Sequence, residues 1–372
     1  MRVLKVQPEL HKFDTFKEFA KEFNIGEGDL ILTNEFLYTP FMQDLNLKSD
    51  FIFQERFGLG EPSDEMINAI MEEMRGKNYN RIIAIGGGSI IDISKLLALK
   101  DEGDCVKLFE KTVPIVKEKE LIIVPTTCGT GSEVTNISIS EIKSKHTKMG
   151  LATDELYPEY AVLIPELVKG LPFKFFVTSS IDALIHAIES YVSPKSNPYT
   201  EIFSVKAIDL IIKGYKEIIK YGEDHRTEII EDFVIGSNYA GIAFGNTGVG
   251  AVHALSYPLG GVYHVPHGEA NYQFFVEVFR TYNKKNPDGK IKEINKVLAN
   301  ALGVSEDADV YAELAKLLDK LLERKPLKEY GMKEEEIESF TDNVIAGQQR
   351  LLANNYVPLS RDEIRDIYKS LY

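Results

Sequence analysis

The chain lacks tryptophan and has only two cysteines, Cys105 and Cys128, among its 372 residues. Two thiols are too few for a disulfide framework or a thiolate metal site, and redox chemistry at sulfur is not expected. The sequence also lacks a run of about 18 apolar residues, and its first residues lack the apolar stretch of a signal peptide. We therefore expect a cytoplasmic protein with no membrane span.

Positive charge is also scarce, because 43 Lys and Arg face 57 Asp and Glu, for a formal net charge of −14. Nucleic acids and anionic membranes are bound by clustered Lys and Arg, so both are excluded as expected partners. Hydrophobic residues make up 44% and charged residues 27%, as in globular proteins. Since single cores stop growing at about 250 to 300 residues, the length predicts two domains.

The two halves of the chain differ in their hydrophobic pattern, with a boundary near Val177. Before it, short continuous apolar runs, typical of strands buried on both faces of a parallel sheet, alternate with segments of helical periodicity. After it, long helical periodicities predominate. We predict an α/β domain over residues 1–177 and an all-α domain over residues 178–372. The predicted strands lie at 30–33, 51–54, 81–85, 121–127 and 161–165, and the predicted helices of the second half at 178–192, 199–221, 226–245, 289–302, 306–324 and 333–353.

A glycine turn follows one of these strands in RIIAIGGGSIIDISK. Gly86, Gly87 and Gly88 carry no Cβ, so a ligand can approach the backbone where a helix begins, and the amides there suit a phosphate. The pattern matches neither the Rossmann fingerprint nor the P-loop. The alternative is a tight strand-to-helix turn with Ser89 as its cap.

A second loop, VPTTCGTGSEV at 124–134, also follows a buried strand. It carries hydroxyls at Thr126, Thr127, Thr130 and Ser132. Loops at the carboxyl ends of parallel strands converge on one crevice of a doubly wound sheet. The two loops together predict a dinucleotide site on a Rossmann-like domain.

A candidate metal site lies in the second half. Asp182 and His186 are four residues apart in IDALIHAIESYV and project from one helix surface. His253 and His267 follow in GVGAVHALSYPLGGVYHVPHGEAN, and one carboxylate with three imidazoles suits Fe(II) or Zn(II). The alternatives are that Asp182 favours a helix N-terminus, that His186 is an interior histidine, and that His264 competes as a ligand.

Four segments together, GGGSIIDISK, PTTCGTGSEVT, IDALIHAIESYVS and GAVHALSYPLGGVYHVPHGEAN, resemble the signature blocks of the iron-containing alcohol dehydrogenase family. They occur in the family's order, and the resemblance covers essentially the whole chain. It implies a nicotinamide-binding α/β domain, a helical metal and substrate domain, NAD and Fe²⁺ as cofactors, and a homodimer or larger homo-oligomer. Within the family, the sequence of these segments most resembles members that interconvert 4-hydroxybutyrate and succinate semialdehyde.

The resemblance also implies residue roles. The family's metal ligands fall on Asp182, His186, His253 and His267. The implied cofactor-binding positions are Asn34, Gly87, Gly88, Ser89, Asp92, Thr126, Thr127, Thr130, Lys148 and Leu167.

Two departures from the family pattern affect function. Many members carry an Asp after an early strand that meets the adenosine ribose and repels a 2′-phosphate, where this chain has Asn34 after Thr33. The choice between NAD and NADP therefore stays open. Members usually carry a histidine four residues after the third ligand, where this chain has Tyr257, which either relays a proton or fills the space.

A small alcohol or aldehyde is the expected substrate, because a divalent cation lowers the pKa of a hydroxyl as it lowers that of water to about 7. We expect catalysis in a cleft between the domains. A hydroxy acid also needs a partner for its carboxylate, for which Tyr263 and His264 are candidates. The alternatives are another primary alcohol or a diol as substrate, a lyase resembling 3-dehydroquinate synthase, which would need a cluster of basic residues absent from the ligand segments, or a non-catalytic dinucleotide-binding protein.

Overall fold

The computed structural model describes residues 2–145 and 147–372. Contacts divide the chain into two compact units. One spans Val6–Leu171, and the other spans Pro172–Tyr372 with Lys5 and the described residues before it. The first unit is an α/β structure and the second is helical. The first long helix of the helical unit, Phe173–Val192, runs across the predicted boundary at Val177.

The first unit is built on a parallel sheet. In chain order, its described strands are β1 Glu9–Lys12, β2 Asp29–Thr33, β3 Asp50–Phe53, β4 Arg81–Gly86, β5 Glu120–Pro125, β6 Ile137–Ile142, β7 Thr147–Ala152 and β8 Tyr160–Leu163. Six of these form the sheet in the order β1, β8, β5, β4, β2, β3, and every neighbouring pair is parallel. The five predicted strands are all present in it.

Helices connect the strands of the sheet and cover both of its faces. They are α1 Phe16–Glu22, α2 Glu35–Phe41, α3 Asp64–Met74, α4 Gly88–Leu97, α5 Val106–Phe109 and α6 Glu166–Lys169. Along β4, Ile82 and Ala84 belong to one apolar cluster, whereas Ile83 and Ile85 belong to another. Successive side chains of a strand point to opposite faces, so each face has its own core. The continuous apolar runs predicted this double burial correctly.

The antiparallel hairpin of β6 and β7 was not predicted. The segment ISISEI alternates isoleucine with serine, but Ser138 and Ser140 are the buried residues, while Ile137 and Ile139 are only partly buried. The Ser138 hydroxyl donates to the carbonyl of Asp92 at 2.9 Å. Because polar residues face inward here, the hydrophobic pattern did not indicate a strand.

The second unit is helical in its described residues. Its helices are α7 Phe173–Val192, α8 Pro198–Tyr221, α9 Ile230–Thr247, α10 Ala251–Tyr263, α11 His267–Lys285, α12 Lys290–Leu302, α13 Val310–Leu318, α14 Glu336–Gly347, α15 Gln349–Leu352 and α16 Arg361–Leu371. Every residue of α7 from Ser180 to Val192 is buried. A helix enclosed on all sides is apolar around its circumference, so the polar residues that α7 does carry need partners inside the unit.

None of the helices in the described part of the chain combines the length and apolar character needed to cross a membrane.

Candidate active site

Four side chains of the helical unit converge in one small region. Asp182 and His186 lie one turn apart on α7, His253 lies on α10, and His267 is the first residue of α11. One potential ligand atom from each of the four lies within 4.8 Å of the other three. These are the residues predicted as metal ligands. His264 does not belong to this group in the described structure.

A close approach of α11 to α7 brings His267 to the cluster. His264 has a positive φ of 55°, which turns the chain between α10 and α11. A Cβ on Gly268 would lie 2.2 Å from the carbonyl oxygen of Thr178 and 3.3 Å from the Cβ of Asp182. Only glycine fits at that distance, so Gly268 permits the contact that holds His267 beside Asp182.

The spacing of the donor atoms fits a shared cation. The Nε2 atoms of His253 and His186 are 3.0 Å apart. Asp182 Oδ1 lies 3.7 Å from Nε2 of His253 and 3.9 Å from Nε2 of His267, and Asp182 Oδ2 lies 3.9 Å from Nε2 of His186. Metal–ligand bonds of about 2.0 to 2.2 Å place neighbouring ligand atoms at roughly such separations. Three imidazoles and a carboxylate are also donors that Fe(II) and Zn(II) accept.

Glu189 fixes the tautomer of His253, and so determines which ring nitrogen carries the lone pair that is available to a cation. Its Oε2 is 2.6 Å from His253 Nδ1, and its Oε1 accepts the backbone N–H of Val252 at 2.9 Å. An ionised carboxylate only accepts hydrogen bonds, so the proton lies on Nδ1 and Nε2 is free to bind a cation. Burial lowers the pKa of His253, but Glu189 and Asp182 outweigh that effect and raise it.

Asp182 is buried, yet it is held in its charged form. Burial raises the pKa of its carboxyl, but His186, His267, His253 and the Asn271 amide together lower the pKa below its usual value. Asn271 donates to Asp182 Oδ1 at 2.7 Å, and the hydroxyl of Ser256 donates to the amide oxygen of Asn271. The Ser256 contact fixes the orientation of the amide, so its NH₂ group faces the carboxylate.

Two aromatic rings flank the cluster. Phe244 on α9 stacks on His186 with ring centroids 4.1 Å apart. Tyr257, one turn after His253, has its ring centroid 6.3 Å from that of His267. Tyr257 therefore lies beside the candidate metal site, and its role as a proton relay stays a prediction.

The two predicted phosphate-binding loops lie side by side in the α/β unit. Gly86 ends β4, and α4 begins at Gly88. A Cβ on Gly87 would lie 3.4 Å from the Cγ2 of Thr127, and one on Gly88 would lie 3.1 Å from the Cγ2 of Thr130. The loops meet at the carboxyl ends of adjacent parallel strands, which is where doubly wound sheets bind nucleotides.

A buried ionic network connects helix α4, which follows the glycine turn, to the second loop. Lys95 on α4 is 0% exposed, and its ammonium donates to Ser132 Oγ at 2.7 Å, to Thr135 Oγ1 at 3.1 Å and to the Ile137 carbonyl at 2.7 Å. Ser132 donates in turn to Asp92 Oδ1 at 3.0 Å. Burial lowers the pKa of Lys95 to about 8 and raises the pKa of Asp92.

The structure thus gives Asp92, predicted to bind cofactor, protein partners for both carboxylate oxygens. Oδ1 accepts from Ser132, and Oδ2 accepts the backbone N–H of Ile139 at 3.0 Å. Asp92 thereby supports the second loop through Ser132 and strand β6 through Ile139.

The other predicted cofactor residues occupy different settings in the same unit. The Ser89 hydroxyl donates to the Gly60 carbonyl at 2.9 Å, so Ser89 does not cap α4. Thr126 is buried, and its N–H donates to the carbonyl of Gly86 at 3.0 Å. Lys148 on β7 pairs with Glu61. Leu167 on α6 packs in the apolar core.

Sequence reasoning assigned no role to three residues that contact predicted site residues within their own unit: Glu189, Asn271 and Lys95. Each lies three or four residues after a predicted functional residue, His186, His267 and Asp92 respectively. That spacing, which places two side chains on one helix surface, was the available signal.

Two family models match almost the entire chain. The model described as iron-containing alcohol dehydrogenase matches residues 10–165, and the C-terminal model of the Fe-containing alcohol dehydrogenase family matches residues 176–372. The chain belongs to the iron-containing alcohol dehydrogenase family. The resemblance inferred from the four sequence segments is confirmed.

Relatives within this family differ in substrate. The chain is 66% identical to the 4-hydroxybutyrate dehydrogenase of Clostridium kluyveri over 372 residues, covering 100% of both chains. It is 34% identical to the long-chain-alcohol dehydrogenase 1 of Geobacillus thermodenitrificans over 321 residues, 84% of this chain and 80% of the relative. The solved structure of a 1,3-propanediol oxidoreductase superposes over 100% of both chains with a TM-score of 0.86 at 23% identity, which demonstrates the shared fold.

Proposed function

We propose that this chain interconverts 4-hydroxybutyrate and succinate semialdehyde, with NAD⁺ accepting the hydride in one direction and NADH donating it in the other. The observation that carries this proposal is the convergence of Asp182, His186, His253 and His267 within 4.8 Å. The choice of substrate is supported by the 66% identity to a full-length relative of that name.

The four converging side chains would hold a divalent cation, Fe(II) or Zn(II). When bound, the cation supplies a Lewis acid that lowers the pKa of the substrate hydroxyl and polarises the aldehyde in the reverse direction. Histidines bind a metal cation in their neutral form, so Asp182 is the only one of the four donors that carries a negative charge. The donor set therefore cancels only half of the charge of a divalent cation. Glu189 and Asn271 keep His253 and Asp182 in the protonation state and orientation that cation binding needs.

The nicotinamide cofactor would bind to the α/β unit, which we propose as the dinucleotide-binding domain, with the helical unit as the metal and substrate domain. The loops after β4 and β5 offer backbone amides and threonine hydroxyls to a pyrophosphate. Oxidation of the alcohol transfers a hydride from carbon to NAD⁺ and releases the hydroxyl proton. We propose that the Tyr257 hydroxyl relays that proton: its oxygen accepts the proton while the hydroxyl gives its own proton to solvent.

The Tyr257 proposal is tested by Tyr257→Phe, which keeps the ring and removes the hydroxyl. We expect kcat to fall by about tenfold or more and its dependence on pH to change, because general acid–base groups contribute about 10²- to 10⁴-fold. Unchanged kcat across pH would mean that the ring only fills space.

The substrate carboxylate needs a polar partner in the helical unit. Of the two predicted candidates, Tyr263 donates its hydroxyl to Glu336, whereas His264 is exposed in the turn before α11. We propose His264. His264→Ala should raise KM for 4-hydroxybutyrate by about tenfold and leave KM for 1-butanol unchanged, because only the acid carries the charge.

The dehydrogenase function is tested on anaerobically purified protein with its metal content determined. NADH formation should be fastest with 4-hydroxybutyrate and slower with 1-butanol and 1,3-propanediol, and it should require Fe(II) or Zn(II). His267→Ala should fold, lose metal and lose most turnover. Preference for a simple alcohol or a diol would replace the substrate assignment, and full metal content with full turnover in His267→Ala would refute the ligand set.

A further inference from the structure

The position that usually supplies an acid to the adenosine ribose is neutral in this chain. In doubly wound folds, a carboxylate near the end of the second strand hydrogen-bonds the ribose 2′-hydroxyl and disfavours a 2′-phosphate. Here Asn34 follows β2 and directly precedes α2, but its side chain makes no capping bond to that helix. Leu32 of β2 pairs with Ala84 of β4, so this end of β2 lies beside the start of the glycine turn.

A carboxylate that follows the neighbouring strand β3 reaches the same end of β2. Thr33 at the end of β2 pairs with Phe53 at the end of β3, and Glu55 follows two residues later. Glu55 Oε1 accepts the backbone N–H of Glu35 at 2.9 Å, so its carboxylate lies against the first residue of α2. Glu55 therefore occupies the capping role that Asn34 leaves open.

Two polar atoms at this strand end are buried and have no hydrogen-bond partner among the described residues. They are Oε2 of Glu55 and the hydroxyl oxygen of Thr33, whose side chain is 0% exposed. A buried charge is screened less by solvent than an exposed one and acts over a longer distance. Glu55 is partly buried as a whole, but its Oε2 is shielded from solvent, so the carboxylate is well placed to repel a second anion at close range.

The nearest cation in the sequence does not offset this charge. Arg56 follows Glu55 directly, but its guanidinium is held by both oxygens of Glu73, at 3.1 and 2.9 Å. An arginine that binds a 2′-phosphate must direct its guanidinium to that phosphate. Here the bidentate pair with Glu73 holds the guanidinium instead.

We propose that Glu55 is the specificity-determining residue that makes this protein select NAD over NADP, replacing the acid that is missing at Asn34. The proposal rests on the proposed function to the extent that it takes the loops after β4 and β5 as the dinucleotide site. Its content is separate, because it concerns which of two dinucleotides is bound and by which side chain.

Binding of NADH and NADPH to the full-length protein, followed by fluorescence titration, tests the proposal without turnover. We expect the wild type to bind NADH at least about tenfold more tightly than NADPH, and Glu55→Gln to reduce that ratio by about tenfold, mainly by strengthening NADPH binding. Glu55→Gln keeps the shape and the oxygen acceptor for Glu35, and Glu55→Ser serves as a second variant. Asp44→Asn, which removes an exposed carboxylate from the same unit, is the matched control and should leave the ratio unchanged.

Equal binding of the two dinucleotides by the wild type, or an unchanged ratio in both Glu55 variants, would overturn the proposal. An equal change in Asp44→Asn would also overturn it, because the effect would then come from total charge. A wild type that binds neither dinucleotide would overturn the nucleotide site as well. Failure of the dehydrogenase function is distinguishable, because it would leave selective binding without turnover.

Discussion

Glu189 illustrates how a residue outside the donor set can control a ligand. Its Oε2 holds the ring of His253, and its Oε1 holds the backbone N–H of Val252. Partners of metal-binding histidines typically change metal affinity by 10- to 100-fold when they are replaced. The same logic applies to Asn271, which orients Asp182.

We predict that Glu189→Gln lowers the affinity for Zn(II) or Co(II) by about 10- to 100-fold. The glutamine amide can either donate to Nδ1 or accept from it, so the tautomer of His253 is no longer fixed. Competition with a chromophoric chelator measures the affinity directly. Glu313→Gln, which replaces a carboxylate paired with Lys316 on α13, is the control and should bind metal like the wild type. Equal affinity in Glu189→Gln would contradict the assigned role.

At the scale of elements, α4 does more than present its first turn to a phosphate. Its buried face carries Asp92 and Lys95, which bind the second loop and the start of the β6–β7 hairpin. All three protons of the Lys95 ammonium have acceptors. This network sets the position of the threonine loop after β5 relative to the glycine turn after β4.

We predict that Lys95→Met raises the dissociation constant for NADH by about tenfold and lowers the free energy of unfolding by about 1 to 3 kcal/mol, since three buried acceptors lose their donor. Metal affinity should stay unchanged, because Lys95 lies in the α/β unit. NADH titration, thermal unfolding and metal analysis measure the three quantities. Lys100→Met, which removes an exposed lysine, should match the wild type in all of them. A loss of stability with normal NADH binding would show that the network only supports the fold.

At the scale of the whole molecule, each compact unit carries one of the two proposed cofactor sites. The metal ligands all come from the helical unit, and the glycine and threonine loops all come from the α/β unit. A ligand stabilises the structure that binds it by RT ln(1 + [L]/Kd), which is about 2.7 kcal/mol at one hundred times Kd. Because opening reactions are often local, such stabilisation need not be uniform along the chain.

We predict that removing metal with a chelator accelerates amide hydrogen exchange in α7, α10 and the start of α11 more than in the parallel sheet. Addition of NADH should slow exchange in the loops after β4 and β5. Hydrogen-exchange mass spectrometry on the same protein sample, with and without each ligand, measures both effects. Slower exchange in the sheet on adding metal, with no change in α7, would contradict the placement of the metal site.

Much of this organisation could be predicted from the sequence. Continuous apolar runs identified five of the six strands of the parallel sheet, including the edge strand β3, and the 3.6-residue period identified most helices of the second unit. The edge strand Glu9–Lys12 and the β6–β7 hairpin were missed. In β6, buried serines reverse the usual hydrophobic alternation, and in β1 three of the four residues are exposed, so apolar side chains provide little signal.

The four candidate ligands were likewise identifiable by residue type, spacing and family resemblance, because chemistry restricts which side chains bind a transition metal. Their convergence was not predictable, because His253 and His267 approach α7 only through tertiary packing, and for His267 that packing depends on Gly268. The contacts of Glu189 with His253, of Lys95 with the second loop and of Glu55 with the start of α2 were also not predictable, because each joins residues that are distant along the chain. Local sequence sets the type and period of each element, whereas contacts between residues distant along the chain are decided by how those elements pack.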